Sequence, residues 1–481
     1  MELTLKHTDY FGTGKFVLNE EKEAFEIFQN SKTIYLTQDG NQSLKEEIIK
    51  LIEESREVLK ICSFIITDIN VFQALLNKAK ETNVAIFIIT QLDQKKLTNV
   101  SLLADYLPEE DLQGNPGKRH LKFIKQLFDA GVHIRAAESI HAKFIISDRS
   151  NGFITSANIT KPSLTFNTES GVYLDRHNSV ELDKLFDVIF KKGTTYRQFL
   201  ASAKKNKIFV VQSDTKIEKV FLPDSNKSKI RYTYEEIENN LYQEIIDIIN
   251  GAKDYVYFST YSIVKLSELT EFTNSIKEAI NRGVNIYVFC RGMNYRNDHL
   301  EGADLLKSLG CMIYADLFNH SKGIINQDSG LIFTANIDGD HGLKNGFEVG
   351  FVLTEEQRQE FLTFHKYLIE TAYYIYDAKP TRINVFQTYI KYEMEKEITP
   401  PTFPKDLVIS VKNGIRINEK EFKNELLFYG KKAKEEFLVC GRSIYKCFVK
   451  DGVFQIIAEE ESRYDLEKYV LKYYNLKIIV N

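Results

Sequence analysis

Short apolar runs alternate with stretches of helical periodicity through most of the chain. The run TIYLT at 33–37 precedes a stretch, 42–56, in which Leu44, Ile48 and Leu51 recur at helical spacing. Two further apolar runs, VLKICSFII at 58–66 and NVAIFIIT at 83–90, are separated by a second helical stretch. Apolar strands that alternate with helices are typical of α/β proteins with a largely buried sheet.

The same order of elements recurs in the second half of the chain. Helix and strand alternate again across 241–263 and 269–290. Each half then continues with a helix, a turn and a strand, in which Gly131 and Gly310 each stand ten residues before a histidine. The duplication predicts two α/β lobes, with mixed β-sheets flanked by helices, related by a pseudo-twofold axis.

Prolines between Pro380 and Pro404 mark a boundary. The short strands and charged helices beyond it predict a small α+β C-terminal domain. We divide the chain into 1–30, an N-terminal extension; 31–205, the first lobe; 206–232, a bridge; 233–380, the second lobe; and 381–481, the C-terminal accessory domain.

One motif occurs twice, once in each half. The first copy, HAKFIISDRSNGFITSAN, runs from His141 to Asn158, and the second, HSKGIINQDSGLIFTAN, runs from His320 to Asn336. Each begins with His-x-Lys and ends with a small hydroxyl residue two positions before an Asn, and a Glu follows. The shared positions are His141, Lys143, Ser156, Asn158 and Glu169 in the first copy and His320, Lys322, Thr334, Asn336 and Glu348 in the second.

These residue types suit phosphoryl chemistry. Side chains two apart on a strand point to the same face, so each copy presents an imidazole, an ammonium, a hydroxyl and an amide together. Lysine and asparagine bind phosphoryl oxygens, and an imidazole can attack phosphorus or move a proton near neutral pH. Two facing copies supply both the nucleophile and the general acid that cleavage through a covalent intermediate requires.

The first copy resembles the HKD motif of the phospholipase D superfamily, with Asp148 at the family spacing and Thr155 at the usual Gly position. The second copy departs more, because Gln327 occupies the Asp position, Asp328 lies one residue later and Phe333 replaces the Gly. The resemblance covers roughly residues 30–375. It implies a two-lobed monomer with one shared site, a phosphohistidine intermediate, and no metal or other cofactor.

The resemblance also implies roles for the shared residues. His141 would be the nucleophile and His320 the acid and then the base, while Glu169 and Glu348 would each orient a histidine. The remaining residues would hold or support the substrate: Lys143, Lys322, Asn158 and Asn336 on the non-bridging oxygens, Ser156 and Thr334 beside them, and Asp148 and Asp328 as structural supports.

Three further stretches each have two interpretations. The loop RGMNYRND, with Arg291, Tyr295 and Arg296, is either a surface that holds a phosphate backbone and stacks a base, or an ordinary solvated loop. The insertion at 95–119 is either a lid or a tolerated surface loop. For residues 191–208 the sequence predicts a basic helix. This helix either lines a phosphate-bearing groove or is an ordinary solvent-exposed helix.

The cysteines and the N-terminal sequence indicate the cellular compartment in which we expect the protein. The five cysteines are scattered and odd in number, which favours a reducing compartment. The start of the chain has no signal-like pattern, and no window approaches 18 uninterrupted apolar residues, so we expect a cytoplasmic protein with no membrane partner. No metal-ligand spacing such as HExxH or paired cysteines occurs.

The predicted function is that of a metal-independent phosphodiesterase. We expect a cytoplasmic nuclease that cleaves DNA in preference to RNA. A role in defence against foreign DNA follows only from the similar architecture of some restriction-type nucleases of this superfamily. The net charge of −4 means that any basic face is local, or supplied by a helicase-like or other protein partner. One alternative is a phospholipase or phosphatidyl transferase. Another is a catalytically degenerate subunit that binds nucleic acid or a partner.

Overall fold

The structure is a computed structural model, and the chain folds into two compact units. The larger unit comprises residues 22–291 and 305–372, and the smaller unit comprises 1–21, 292–304 and 373–481. The structure describes residues 1–6, 10–29, 31–92, 97, 116–137, 140–192, 195–199, 208–212, 218–393, 406–441, 443–459 and 477–479.

The first half of the larger unit is built on a mixed nine-stranded sheet. Its strands are, in spatial order, Ile208–Gln212, Thr195–Phe199, His133–Ala137, Ala85–Ile89, Val58–Cys62, Phe144–Ser147, Asn151–Thr155, Glu169–Tyr173 and Ile34–Thr37. The helices of this half are Ser43–Glu54, Ile69–Glu81, Pro116–Asp129, Lys161–Thr165 and Arg176–Lys192. The three strands from His133–Ala137 to Val58–Cys62 are parallel, and the other neighbours are antiparallel.

The second half of the larger unit repeats this plan. Its strands are, in spatial order, Glu238–Asn239, Ile230–Tyr234, Phe347–Val352, Gly330–Phe333, Gly323–Ile325, Tyr255–Ser259, Asn285–Arg291 and Met312–Asp316. The helices are Asn240–Asn250, Thr270–Asn281, Glu355–Glu370 and the end of Asn297–Leu309, whose residues up to 304 belong to the smaller unit. Short 3-10 turns lie at Lys219–Phe221, Ser225–Lys227 and Leu266–Glu268. Ile263–Val264 and Ile337–Asp338 form a separate parallel pair.

The duplication predicted from the apolar pattern is therefore confirmed as an α/β fold with mixed sheets. In each half three parallel strands are followed by an antiparallel hairpin and a further strand, and this order is the same in both sheets. Gly131 and Gly310 both have positive φ values, 95° and 109°, which only glycine adopts without strain at a helix end. One apolar core joins the halves, with Phe144 and Phe186 from the first and Phe347 and Phe361 from the second.

The basic helix predicted for 191–208 is wrong where the structure describes it. The helix that begins at Arg176 ends at Lys192, and Thr195–Phe199 is a strand. That strand pairs with two neighbours, so that Arg197 lies opposite both Ala136 and Val210. Threonine, tyrosine and phenylalanine favour strands, and pairing with an open sheet edge outweighs the local pattern of charges.

The smaller unit contains a seven-stranded sheet, as the predicted α+β C-terminal domain requires. Its strands are, in spatial order, Glu2–Lys6, Asp406–Val411, Val453–Glu459, Ser443–Lys450, Glu435–Cys440, Leu427–Lys432 and Lys477–Ile479. The unit also contains the antiparallel pair Lys15–Leu18 and Tyr374–Asp377, the α-helices Arg382–Thr388 and Glu419–Asn424, and a π-helical turn at Tyr389–Glu393. The N-terminal strand thus lies in the same sheet as the C-terminal strands, while the five-part division of the chain stays a prediction.

Two further predictions concern the insertion and membrane-spanning helices. The insertion at 95–119 lies outside the described residues except for Leu97 and the start of the helix Pro116–Asp129. Among the described residues, no helix is both long and apolar enough to cross a membrane.

Candidate active site

A tight hairpin brings the two ends of the first motif together. Phe144 pairs with Ile154 across the hairpin, so His141, just before the first strand, and Ser156, just after the second, emerge at the same end. The second motif is built in the same way, since Gly323 pairs with Ile332. In both halves the polar motif residues therefore lie at the same end of a buried hairpin.

Each motif histidine is tied by its backbone to the other half. The N–H groups of His141 and Ala142 donate to the Phe347 carbonyl, at 3.0 and 2.8 Å. Reciprocally, the His320 N–H donates to the Thr168 carbonyl at 2.9 Å. Phe347 and Thr168 are the residues just before Glu348 and Glu169, so each bridge places one half's histidine beside the other half's glutamate.

The histidine–glutamate contacts are accordingly crossed. His141 Nδ1 is hydrogen-bonded to Glu348 Oε1 at 2.7 Å, and His320 Nδ1 lies 2.8 Å from Glu169 Oε1. A carboxylate at Nδ1 favours the tautomer with the proton on Nδ1, which leaves the Nε2 lone pair available. The sequence predicts that each glutamate orients a histidine, and the structure pairs each glutamate with the histidine of the opposite copy.

The motif hydroxyl groups hold these carboxylates. Ser156 Oγ donates to Glu169 Oε2, and Thr334 Oγ1 donates to Glu348 Oε2. Both hydroxyl residues are fully buried. These hydroxyl groups therefore hold the glutamates, and a substrate contact at Ser156 and Thr334 stays a prediction.

Two buried ammonium groups complete the cluster. Lys143 Nζ donates to the His141 carbonyl, and Lys322 Nζ donates to the His320 carbonyl at 2.6 Å. Burial lowers the pKa of Lys143 to about 8 and that of Lys322 to about 7, although the buried glutamates oppose the shift. These ammonium groups are therefore close to neutralisation at physiological pH unless an anion binds near them.

The two carboxylates and the two imidazoles respond to the same surroundings. Burial acts to raise the pKa of Glu169 and Glu348, but the neighbouring imidazole and ammonium groups lower it overall, so both stay ionised. Burial lowers the pKa of His141, and it lowers the pKa of His320 to about 4. Two ammonium groups thus face two carboxylates, and the imidazoles are neutral.

The two asparagines are placed differently from the other motif residues. Asn158 and Asn336 are half-buried, and within the described part of the chain their Oδ1 atoms are buried without a hydrogen-bond partner. A buried amide without a partner is costly, so it is a candidate for contact with a ligand.

The predicted support at Asp148 is present, but the second half uses a different residue. The Asp148 carboxylate accepts from the N–H groups of Arg56, Glu57 and Val58, at 2.8–3.1 Å, where the first parallel strand begins. At the corresponding strand start Gln327 Oε1 accepts from the Lys253 N–H at 3.1 Å. Asp328, which the sequence suggests for this place, instead forms an exposed ion pair with Lys253.

The loop residues predicted to bind substrate are divided between the two units. Arg291 is buried, with its guanidinium 5.5 Å from the centre of the Tyr261 ring. Tyr295 and Arg296 belong to the smaller unit, where Tyr295 is half-buried and Arg296 forms an ion pair with Asp298 at 2.7 Å. A substrate contact at these positions stays a prediction.

Two aromatic residues at the motif histidines escape the sequence analysis. The Phe64 ring stands edge-on to His141, at 6.4 Å between ring centres, and the Tyr261 ring stands edge-on to His320 at 5.2 Å. Each follows its half's first parallel strand by two residues. Their matching places in the repeat are the signal that identifies them. Among the described residues, no group of three or more His, Cys, Asp or Glu is placed to hold a metal ion.

Comparison with known proteins adds a family match. A family model described as "Cardiolipin synthase, PLD-like domain" matches residues 48–192, which contain the whole first motif. Comparison with curated proteins gives no match.

The chain also resembles solved structures at low identity. Phosphatidylserine synthase of Haemophilus influenzae is 9% identical, with a TM-score of 0.49 over 77% of this chain and 89% of that one. Polyphosphate kinase of Porphyromonas gingivalis is 11% identical, with a TM-score of 0.45 over 69% and 46%. The phospholipase D family member Nuc of Salmonella typhimurium is 16% identical, with a TM-score of 0.26 over 30% and 95%. The family match agrees with the resemblance predicted from the first motif, since residues 48–192 match a phospholipase D-like domain.

Proposed function

We propose that the protein is a metal-independent phosphodiesterase, and specifically a nuclease that cleaves DNA through a phosphohistidine at His141. The observation that carries the proposal is the crossed pair of histidine–glutamate contacts, His141 with Glu348 and His320 with Glu169, in one buried cluster. Each imidazole has a carboxylate behind Nδ1 and a lysine two residues further along the chain. That arrangement provides two oriented imidazoles and a binding place for one anion.

The charges of the cluster fit a phosphodiester. When both lysines are protonated, two ammonium groups and two carboxylates balance, so a bound phosphodiester adds one net negative charge. A nearby anion favours the protonated form of an imidazole and of the lysines, which opposes the effect of burial. Substrate binding therefore favours uptake from solvent of the proton that His320 then donates as a general acid.

The two histidines differ in exposure, and this difference supports the assignment of their roles. The His141 side chain is 30% exposed and that of His320 is 14% exposed. The more accessible Nε2 of His141 attacks phosphorus, and the P–O bond to the leaving group breaks as His320 gives its proton to the leaving oxygen. In the second step His320 takes a proton from water, the water oxygen attacks phosphorus, and the P–N bond to His141 breaks.

The remaining motif residues stabilise the charge that develops on phosphorus. Lys143 and Lys322 neutralise the non-bridging oxygens, and the amides of Asn158 and Asn336 bind them. Ser156 and Thr334 act through the glutamates that they hold.

DNA as the substrate rests on sequence features. The chain adds an α+β unit to the phospholipase D-like part, and such a unit suits recognition of a polymer. All five cysteines are buried and unpaired, which favours a reducing compartment, and we place the enzyme in the cytoplasm on that ground. Because the formal charge is −4, the proposal includes a local basic face or a helicase-like or other basic partner. A role in defence against foreign DNA rests on architectural analogy alone.

One observation favours a second candidate, a phospholipase or phosphatidyl transferase. The family model that matches residues 48–192 is described as a cardiolipin synthase domain. The same paired-histidine chemistry would then act on a phospholipid diester.

The test measures hydrolysis in EDTA of bis-p-nitrophenyl phosphate, single- and double-stranded DNA, RNA, and phosphatidylglycerol vesicles. The variants are His141→Ala and His320→Ala, with His177→Ala as the control, because His177 is exposed and outside the cluster. We expect DNA cleavage by wild type and by the control, and a loss of about 10³-fold or more in the two motif variants.

Acid-labile label on wild-type protein incubated with ³²P-DNA, absent from His141→Ala, would identify the phosphohistidine. Turnover of vesicles without cleavage of DNA would favour the lipid-active candidate. If wild type turned over no diester and took up no label, the enzymatic proposal would be wrong.

A further inference from the structure

The loop that leads into His320 is fixed by a buried aspartate. Asp316 Oδ1 accepts from the N–H of Phe318 at 2.7 Å and from the N–H of Asn319. Asn319 in turn donates from Nδ2 to the Thr260 carbonyl at 2.7 Å and accepts from the Ser321 N–H at 3.2 Å. The backbone on both sides of His320 is therefore held by side chains.

The same aspartate reaches the strand that carries the glutamate partner of His320. Thr168 Oγ1 donates to Asp316 Oδ2 at 3.3 Å. The backbone of Thr168 donates to the Phe318 carbonyl at 3.1 Å and accepts from the His320 N–H at 2.9 Å. Since Glu169 follows Thr168, the two oxygens of Asp316 contact both segments that meet at the His320–Glu169 pair.

At the matching position of the first half the chain has no carboxylate, and Glu138 and Ser139 lie outside the described residues. The residue four positions before His141 is Ala137, whereas Asp316 stands four positions before His320. The backbone bridge at His141 is made to Phe347, which is packed against Phe144 and Tyr234. The repeat can therefore form this bridge without an aspartate.

Keeping Asp316 buried is costly. Only 9% of the residue is exposed. Burial raises the pKa of Asp316 to about 6, opposed by the N–H groups of Phe318 and Asn319 and by the charge of Arg291. A buried carboxylate whose two oxygens hold the segments that meet at the His320–Glu169 pair is a candidate for positioning that pair.

We infer that Asp316 is a positioning residue, which holds the His320 ring and Glu169 in register for proton transfer at the leaving oxygen. The inference rests on the proposed function, since it assigns Asp316 to the acid–base half of that site. Asp316 touches neither substrate nor the reacting atoms. Its removal should therefore affect the proton transfers of His320 and spare the attack by His141.

The test varies how much the leaving group needs a proton. p-Nitrophenolate can leave without being protonated, whereas the alkoxide of a nucleoside needs a proton in order to leave. With the dinucleotide TpT, we expect Asp316→Ala to lower the single-turnover rate by about 10- to 100-fold. With thymidine 5′-p-nitrophenyl phosphate, we expect the first release of p-nitrophenolate to stay within about twofold of wild type, while later turnovers slow, because His320 must still activate water.

Two further variants separate positioning from loss of folding. Asp316→Asn keeps one oxygen for the N–H groups of Phe318 and Asn319, so it should recover most of the TpT rate. Asp183→Ala removes another buried aspartate, whose partner is Lys60, and should lower the melting temperature without any dependence on the leaving group.

An equal loss on both substrates, or no loss on either, would overturn the inference. A readout that needs no turnover is the ring ¹⁵N spectrum of histidine-labelled protein, with the His320 signal identified by its absence in His320→Ala. We expect a single Nδ1-protonated form in wild type and a mixture of tautomers in Asp316→Ala. If wild type cleaved no diester, the proposed function would fail, whereas an unchanged His320 spectrum would contradict the role of Asp316 independently.

Discussion

The two histidine–glutamate pairs have similar nitrogen–oxygen distances, 2.7 and 2.8 Å, but different surroundings. The bridge at His141 is made by backbone atoms, and Phe347 in that bridge is packed against aromatic side chains. The bridge at His320 carries side-chain hydrogen bonds as well, from Asp316 and Thr168. Next to it, Ser170 Oγ and Ser321 Oγ lie 2.8 Å apart across the two halves.

The difference matches what the two histidines are proposed to do. A nucleophile must approach phosphorus and form a bond, so some freedom of the His141 ring is useful. A residue that donates a proton in one step and accepts one in the next must stay aligned in both, and hydrogen bonds with defined directions give that alignment better than apolar packing. The duplicated fold thus provides two equivalent positions, and polar substitutions around one of them make the roles unequal.

The largest effect that tests this comparison comes from neutralising the glutamates in turn. Because the contacts are crossed, Glu348→Gln should act on His141, and Glu169→Gln should act on His320. We expect each to lower DNA cleavage by about 10²- to 10³-fold. With a p-nitrophenyl diester, Glu348→Gln should abolish the initial burst of p-nitrophenolate, and Glu169→Gln should keep the burst and slow later turnovers.

An equal loss of the burst in both variants would contradict the assignment of the two histidine–glutamate pairs to different steps, because both pairs would then contribute to the same step. Glu181→Gln is the control, since this glutamate lies on the helix Arg176–Lys192, outside the cluster, and forms an ion pair with Lys184.

A smaller effect concerns the pH dependence of stability. In the folded protein burial lowers the pKa of Lys322 to about 7, from an ordinary value of 10.5, and that of Lys143 to about 8. Between the folded and unfolded pKa values the unfolded chain binds more protons, so the free energy of unfolding should rise with pH. For Lys322 the rise should begin near pH 7, and for Lys143 it should begin near pH 8.

Urea unfolding of wild type, Lys322→Met and Lys143→Met between pH 6.5 and 9.5 measures this contribution. Each variant should show a shallower rise than wild type, and the deficit of Lys322→Met should begin at the lower pH. Parallel curves for all three proteins would show that these ammonium groups are not desolvated as the buried cluster requires.

The smallest effect compares the two strand starts. Asp148 accepts from three backbone N–H groups through a charged carboxylate, whereas Gln327 accepts through a neutral amide. Hydrogen bonds to a charged group contribute more, so Asp148→Ala should destabilise by about 1–2 kcal/mol and Gln327→Ala by about 0.5–1 kcal/mol.

Thermal unfolding ranks the two variants, and Asp328→Ala serves as the matched control. Its exposed ion pair with Lys253 should contribute little. An effect of Asp328→Ala equal to that of Asp148→Ala would restore Asp328 to the supporting role suggested by the motif.

Sequence periodicity predicted the repeat well because buried strands and amphipathic helices leave local patterns. It failed at 195–199, where a charged stretch is a strand, because pairing with a sheet edge is a non-local contact. The motif spacing likewise located His141 and His320, but Phe64 and Tyr261 lie outside the motif, and their contacts with the two imidazole rings became visible only in the structure.

The sequence by itself determined the α/β class, the duplication and the residue types of the site, since each leaves a pattern within a few tens of residues. Only the tertiary structure decided which glutamate lies beside which histidine, and that Gln327 rather than Asp328 accepts at the strand start of the second half. It also decided that Asp316 lies beside Thr168. These are contacts between segments far apart in the chain, and spacing along a sequence does not specify which segments meet in space.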